Sequence, residues 1–148
     1  FSVSEWTGRI SEILAEEPVI DINLELSYNS TREITIDVDV VFIKESDNSL
    51  MLSLYFIEDS IKSWQKDYSL PAGQQDIELY SHNHVLRDAI NGTWGNQLTS
   101  GVVNANDVFS KSFNYTINNL LVIDNSSIIA FVYDADSKEI LQASQIHL

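Results

Sequence analysis

The sequence contains no cysteine. That removes a disulfide framework, a thiolate metal site and a cysteine nucleophile, and it is compatible with any compartment. Cations are scarce as well: 8 Lys and Arg stand against 22 Asp and Glu, a net charge of −14. Nucleic acid and anionic membrane surfaces both need a basic face, so neither is an expected partner. Such an acidic balance fits a solvated surface, or one that meets cations. No apolar run approaches the roughly 18 residues of a membrane-spanning helix. The chain begins at Phe1, with no Met and no signal peptide, and reads as a piece of a longer protein.

What is present is one domain's worth of chain. Its 148 residues, 44% of them hydrophobic, can bury a full core without covalent staples. Residues 2–17 read as a helix. Ser2 with Glu5 is a capping box, Val3, Trp6, Ile10, Ile13 and Leu14 form an apolar stripe, and Pro18 stops it. This helix reads equally as one packed on the following domain or as the last helix of a domain upstream. Residues 18–148 form the second unit.

From Val19 the hydrophobic period is two. Ile20, Ile22, Leu24 and Leu26 alternate with polar residues, as do Ile34, Ile36, Val38, Val40 and Phe42 after a short turn, which predicts a hairpin. Leu50, Leu52, Leu54 and Phe56 mark a third strand. Residues 60–75 lose the alternation and read as a polar loop crossing between sheets. A strand then runs from Ile77 through the His82 segment, and residues 96–106 read as irregular loop. Phe109 to Ile117 is a further strand. Ile128 to Tyr133 is apolar on both faces and reads as central. Ile140 to Leu148 closes the chain. Seven or eight short strands with polar turns predict an all-β, immunoglobulin-like β-sandwich of Greek-key type, with one N-terminal α-helix.

One stretch stands apart. HNHVLRDAINGTWG (82–95) holds two histidines, an arginine, a Trp and two glycines in fourteen residues. Asn91-Gly92 is a strong turn signal. On a continuous strand His82 and His84 would share a face, with Cβ atoms about 7 Å apart. Zinc would then need a third ligand from His147, Asp88 or Asp134. Without such a ligand, a His–Asn–His run more often fixes loops through hydrogen bonds. Arg87 could clamp an anion. A single Arg among so many carboxylates more often pairs inside the fold, here with Glu58 or Asp59. Trp94 could be a carbohydrate or peptide platform. The commoner role of such a Trp is to plug one end of the sandwich, and that is the expectation. Alanine at Arg87 or Trp94 should then lower thermal stability. Trp64 and Tyr68, in the presumed polar loop, are the better platform candidates. Asp134, Asp136 and Glu139 could meet calcium but lack a calcium-loop pattern, and DADSKE reads as ordinary turn chemistry.

Together FIEDSIKSWQ (56–65), HNHVLRDAINGTWG and the closing IIAFVYDADSKEILQASQIHL (128–148) resemble the C-terminal domain of the outer membrane protein twenty-eight family, lipoproteins of Bacteroidetes-type bacteria. The resemblance covers most of the chain after Pro18. It implies a cell-envelope location, with a lipid anchor on the N-terminal side and the domain facing the periplasm or the outside. It also implies an upstream thioredoxin-like domain, of which residues 1–17 would be the remnant. His82, Asn83, His84, Arg87, Gly92, Trp94 and Gly95 carry the motif, and their expected role is structural. The resemblance brings no reaction and no cofactor.

Enzyme readings lack parts. No serine sits in a nucleophile elbow, no Gly-rich phosphate loop follows a strand, and the carboxylates show no pairing in sequence. The expectation is a non-enzymatic module that supports its upstream domain or binds an envelope protein or glycan. The alternative is a metal or ligand site around His82 and His84.

Overall fold

In the computed structural model, which describes residues 3–148 with side chains from Ser4 onward, the two-residue alternation becomes strand wherever it occurs. The capping-box residue Ser2 lies outside the described residues. Helix α1 (Val3–Leu14) precedes ten strands: β1 (Ile20–Tyr28), β2 (Glu33–Phe42), β3 (Leu50–Glu58), β4 (Ile61–Lys66), β5 (Asp76–His82), β6 (Val85–Ala89), β7 (Asn96–Thr99), β8 (Val108–Thr116), β9 (Ser126–Asp134) and β10 (Ile140–His147). They form a three-stranded sheet, β1-β2-β8, and a five-stranded sheet, β10-β9-β3-β6, in which β7 also pairs with β3. A separate two-stranded sheet is the β4–β5 hairpin. The result is an all-β sandwich with one helix.

The core follows from strand parity. Ile34, Ile36, Val38, Val40 and Phe42 of β2 are fully buried, while Asp37 and Asp39 between them face water. Leu50, Leu52, Leu54 and Phe56 of β3 and Ile128, Ala130 and Val132 of β9 meet them from the other sheet. Strand β9 lies between β10 and β3, as its apolar character on both faces predicts. Each fully buried Ile, Leu or Phe contributes about 1.5–3 kcal/mol over exposure, so this layer dominates the stability.

Three features differ from the sequence reading, and the helix whose placement it left open has an exposed stripe. The helix ends at Leu14 rather than at residue 17: the Ala15 and Glu16 amides bond back three residues, to Glu12 and Ile13, and the chain leaves before Pro18. The α1 stripe is not packed into the sandwich, since Trp6, Ile10, Ile13 and Leu14 are exposed. Residues 60–75 are not a crossover loop: β4 and β5 pair from Ile61↔His82 to Lys66↔Asp76. Both faces of that hairpin are largely wet, so no apolar alternation announces it. Within residues 96–106, β7 pairs with β3. It is only four residues long, too short to display a period.

Strand β3 sets the layout. One edge pairs without interruption with β9, from Leu50↔Asp134 to Glu58↔Ser126. The other edge is shared: β6 covers Tyr55 to Glu58, and β7 covers Leu50 to Leu52. Between them residues 91–95 leave the ladder after the Ile90 N–H has donated to the Leu54 carbonyl, and Asn91 fills the gap with its side chain. Leu54 N–H donates to Asn91 Oδ1 (2.9 Å), and Asn91 Nδ2 donates to the Leu52 carbonyl (2.8 Å). Gly95 brings the chain back at φ +69°, so close that a Cβ there would lie 2.1 Å from the Leu52 oxygen.

The two turn glycines should therefore respond differently to alanine. Gly92→Ala, at φ +89° with open space around it, should cost about 1–2 kcal/mol for the left-handed backbone alone. Gly95→Ala adds a backbone clash and should cost at least about 4 kcal/mol. Urea melts of the two variants check the difference.

Candidate functional site

Two places gather the chemistry of the 82–95 stretch. The first is the neck where the β4–β5 hairpin leaves the sandwich. Two connections cross there, residues 59–60 and residues 83–84, and each caps the other. Asn83 Oδ1 accepts from the Ser60 N–H (3.0 Å), and Asp59 Oδ1 accepts from the His84 N–H (2.5 Å). Both Ser60 (φ 63°) and His84 (φ 55°) are left-handed, a conformation that costs non-glycine residues about 1–2 kcal/mol. The carboxylate and carboxamide caps hold them there.

This geometry corrects the histidine pair. The strand through His82 does not continue: β5 ends at His82, and His84 lies in the turn before β6. The shared face required for two ligands on one strand is lost. His84 Nδ1 lies 3.7 Å from Asp59, and His82 stacks edge-to-face on Tyr80 at 4.9 Å. His147, one expected third ligand, places Nδ1 2.6 Å from the Ser126 carbonyl. Asp88 accepts from the Tyr115 hydroxyl (3.0 Å), whose pKa is raised by burial and then by that carboxylate. Asp134 is committed to the β9–β10 turn, where the Ser137 and Asp136 amides and the Ser137 hydroxyl hold its carboxyl below the ordinary value. Among the described residues no three His, Asp or Glu side chains gather to hold a metal ion.

Arg87 donates from Nη1 to Glu58 Oε2 at 2.7 Å, with the Arg side chain 30% and the Glu side chain 5% exposed. Glu58 Oε1 accepts from the Val122 N–H (3.0 Å). One buried carboxylate thus ties β6 to β3 and to the loop before β9. Of the two carboxylates considered for Arg87, it takes Glu58, and Asp59 takes the His84 amide.

The second place is the outer face of the five-stranded sheet, the side away from the core. Pairings Ser53↔Phe131, Met51↔Tyr133 and Tyr133↔Ile140 put these side chains on one face with Tyr55. The 90–95 turn curls over them. Tyr55 donates its hydroxyl to the Thr93 carbonyl (3.3 Å), and Tyr133 donates to the Trp94 carbonyl (2.7 Å). Phe131 packs edge-on to Tyr55 with centroids 5.0 Å apart. A hollow of ≈ 160 Å³ results, lined by these rings with Ser53, Lys138 and Ile140. Trp94 does not plug the sandwich: it is 71% exposed and stands at the rim of this hollow. Its backbone is clamped while its indole faces water.

Trp64 and Tyr68 lie elsewhere, on the hairpin. Trp64 is on β4 rather than in a loop and is 54% exposed; Tyr68 is in the hairpin turn, 78% exposed, with Lys66 Nζ 5.8 Å from its ring centre. Tyr55, Phe131, Tyr133 and Ser53 had no site role in the sequence reading, and Asn91 stood there only as a turn residue. Their signal was available in the outward parity of two central strands, where aromatic rings stand in place of polar side chains.

Comparison with known proteins supplies a family. The chain matches the family described as outer membrane protein Omp28 over residues 1–148. It is also similar to the crystal structure of a domain of the outer membrane lipoprotein Omp28 from Porphyromonas gingivalis, at 25% identity and a TM-score of 0.63, covering 90% of each chain. No curated protein matches it.

Arg87→Ala should strand the Glu58 carboxylate and cost about 2–4 kcal/mol, at the lower end of a buried pair because the Arg is partly wet. Trp94→Ala should change stability by no more than about 1 kcal/mol, contrary to the plug expectation. Thermal melts of the pair test both values.

Proposed function

The chain belongs to the Omp28 family of outer membrane proteins, and from that premise we propose that it is a non-enzymatic β-sandwich module of a lipid-anchored cell-envelope protein, one that binds a partner on the outer face of its five-stranded sheet. The observation that carries the binding reading is Trp94. Tyr55 and Tyr133 donate to the carbonyls around it, Asn91 and Gly95 seat its turn on β3, and the ring still faces solvent. A large aromatic on a fixed backbone has only two side-chain torsions left to order when it is covered, which is the property of a binding anchor.

The uncovered stripe of α1 favours a further partner within the same protein. Trp6, Ile10, Ile13 and Leu14 make an exposed apolar face suited to an upstream domain, thioredoxin-like by the family resemblance, as its last helix. The similar domain from Porphyromonas gingivalis is likewise one part of a larger lipoprotein.

Sedimentation with outer-membrane fragments of the source bacterium tests the binding role. The parent domain should co-sediment saturably, and Trp94→Ala, with an unchanged melting temperature, should stay in the supernatant. Equal retention of the two proteins, or of neither, would leave the module a spacer.

A further inference from the structure

We propose that the hollow beside Trp94 is a saccharide subsite that takes one neutral pyranose ring, as a free sugar or as a residue of a glycan. The inference rests on the binding role proposed for Trp94 and adds the class of ligand.

The size argues first. A space of ≈ 160 Å³, open on one side, accepts a single substituted six-membered ring and lets a chain continue into solvent. It is too small for a helix or strand to lie in. The lining argues second. The flat apolar surfaces of Trp94, Tyr55, Phe131 and Tyr133 suit the C–H face of a sugar ring. Both tyrosine hydroxyls already donate to turn carbonyls, so these residues offer their faces.

The third argument is Ser53. Its side chain lines the hollow, is fully buried, and Oγ has no hydrogen-bond partner. A buried hydroxyl left unpaired is costly, and native folds rarely keep one without a reason. Gly95 packs directly against it: a Cβ there would come within 2.5 Å of Ser53 Oγ, so only glycine leaves room for the hydroxyl. A purely apolar occupant, such as an aliphatic peptide side chain, would leave Ser53 unpaired. A sugar combines an apolar face with hydroxyls at its edge, and one of these can pair with Ser53 while others meet Thr93 and solvent.

Charge decides for a neutral ring. A cationic ligand would meet Lys138, whose ammonium sits 5.8 Å from the Tyr133 ring centre. An anionic ligand would approach a chain of net charge −14.

The test uses the domain with Trp6→Phe and Trp64→Phe, which leaves Trp94 as the sole tryptophan. Its fluorescence is titrated with neutral hexoses, N-acetylhexosamines and their short oligomers, and separately with proline-rich and aromatic peptides. The proposal expects a saturable change with at least one saccharide and none with the peptides. Adding Ser53→Ala should weaken that binding by about tenfold while leaving the melting temperature equal or higher, because it removes an unpaired hydroxyl. A response to peptides alone would overturn the saccharide assignment and keep Trp94 as a binding residue. Silence with every ligand would overturn the saccharide assignment too. If retention on outer-membrane fragments were then also independent of Trp94, the binding role itself would fall.

Discussion

The completion of β3's second edge is the constraint on which the rest of this structure depends. A central strand buried on both sides must have every amide and carbonyl paired, because an unpaired buried group costs about 1–3 kcal/mol. Strand β9 satisfies one edge in a single run. The other edge is satisfied in two pieces, β6 and β7, with a chain reversal between them. The Asn91 carboxamide spans the break by donating to Leu52 and accepting from Leu54, in the manner of a strand residue. Gly95 is the counterpart at the return, where no Cβ fits above the Leu52 carbonyl.

Because the reversal happens at the middle of a sheet edge, its tip has to go somewhere, and it folds over the outer face. There two tyrosines catch its carbonyls, and Trp94 is left facing water above an aromatic floor. Fold and proposed site are thus one arrangement: the residues that complete the ladder also aim the ring. The neck of the β4–β5 hairpin works in a similar way. Asp59 and Asn83 exchange caps across two left-handed residues, and Arg87 locks the adjacent strand onto buried Glu58. The 82–95 stretch therefore anchors both projections from the sandwich.

Strand positions with one wet face were legible in the sequence, since Ile34 to Phe42 and Ile20 to Leu26 alternate in the period of a pleated sheet. The family was legible too, through the resemblance carried by FIEDSIKSWQ, HNHVLRDAINGTWG and the closing segment. The β4–β5 hairpin was not, because a two-stranded sheet with both faces in water carries no hydrophobic period. The break at His84 was hidden for a different reason. A left-handed histidine is held by Asp59, twenty-five residues away, and no local pattern reports such a partner. Trp94 was read as a plug because a Trp between glycines suits either side of a sheet. Only the register of β3 with β9 shows that the aromatic face beneath it is the outer one. The Asn91-Gly92 pair was recognised as a turn, while the ladder role of its side chain depends on β3, distant in sequence.

The most direct measurement is amide hydrogen exchange at Leu54, read by NMR together with the Trp94 indole signal, in the parent and in Asn91→Ala. The Leu54 N–H points to Asn91 Oδ1. The account predicts that the variant loses protection at Leu54, keeps it at β9 amides facing β3, and shifts the Trp94 indole resonance as the turn loosens. If Leu54 stays protected and Trp94 stays where it was, Asn91 does not complete the ladder, and the link between the sheet edge and the exposed tryptophan is wrong.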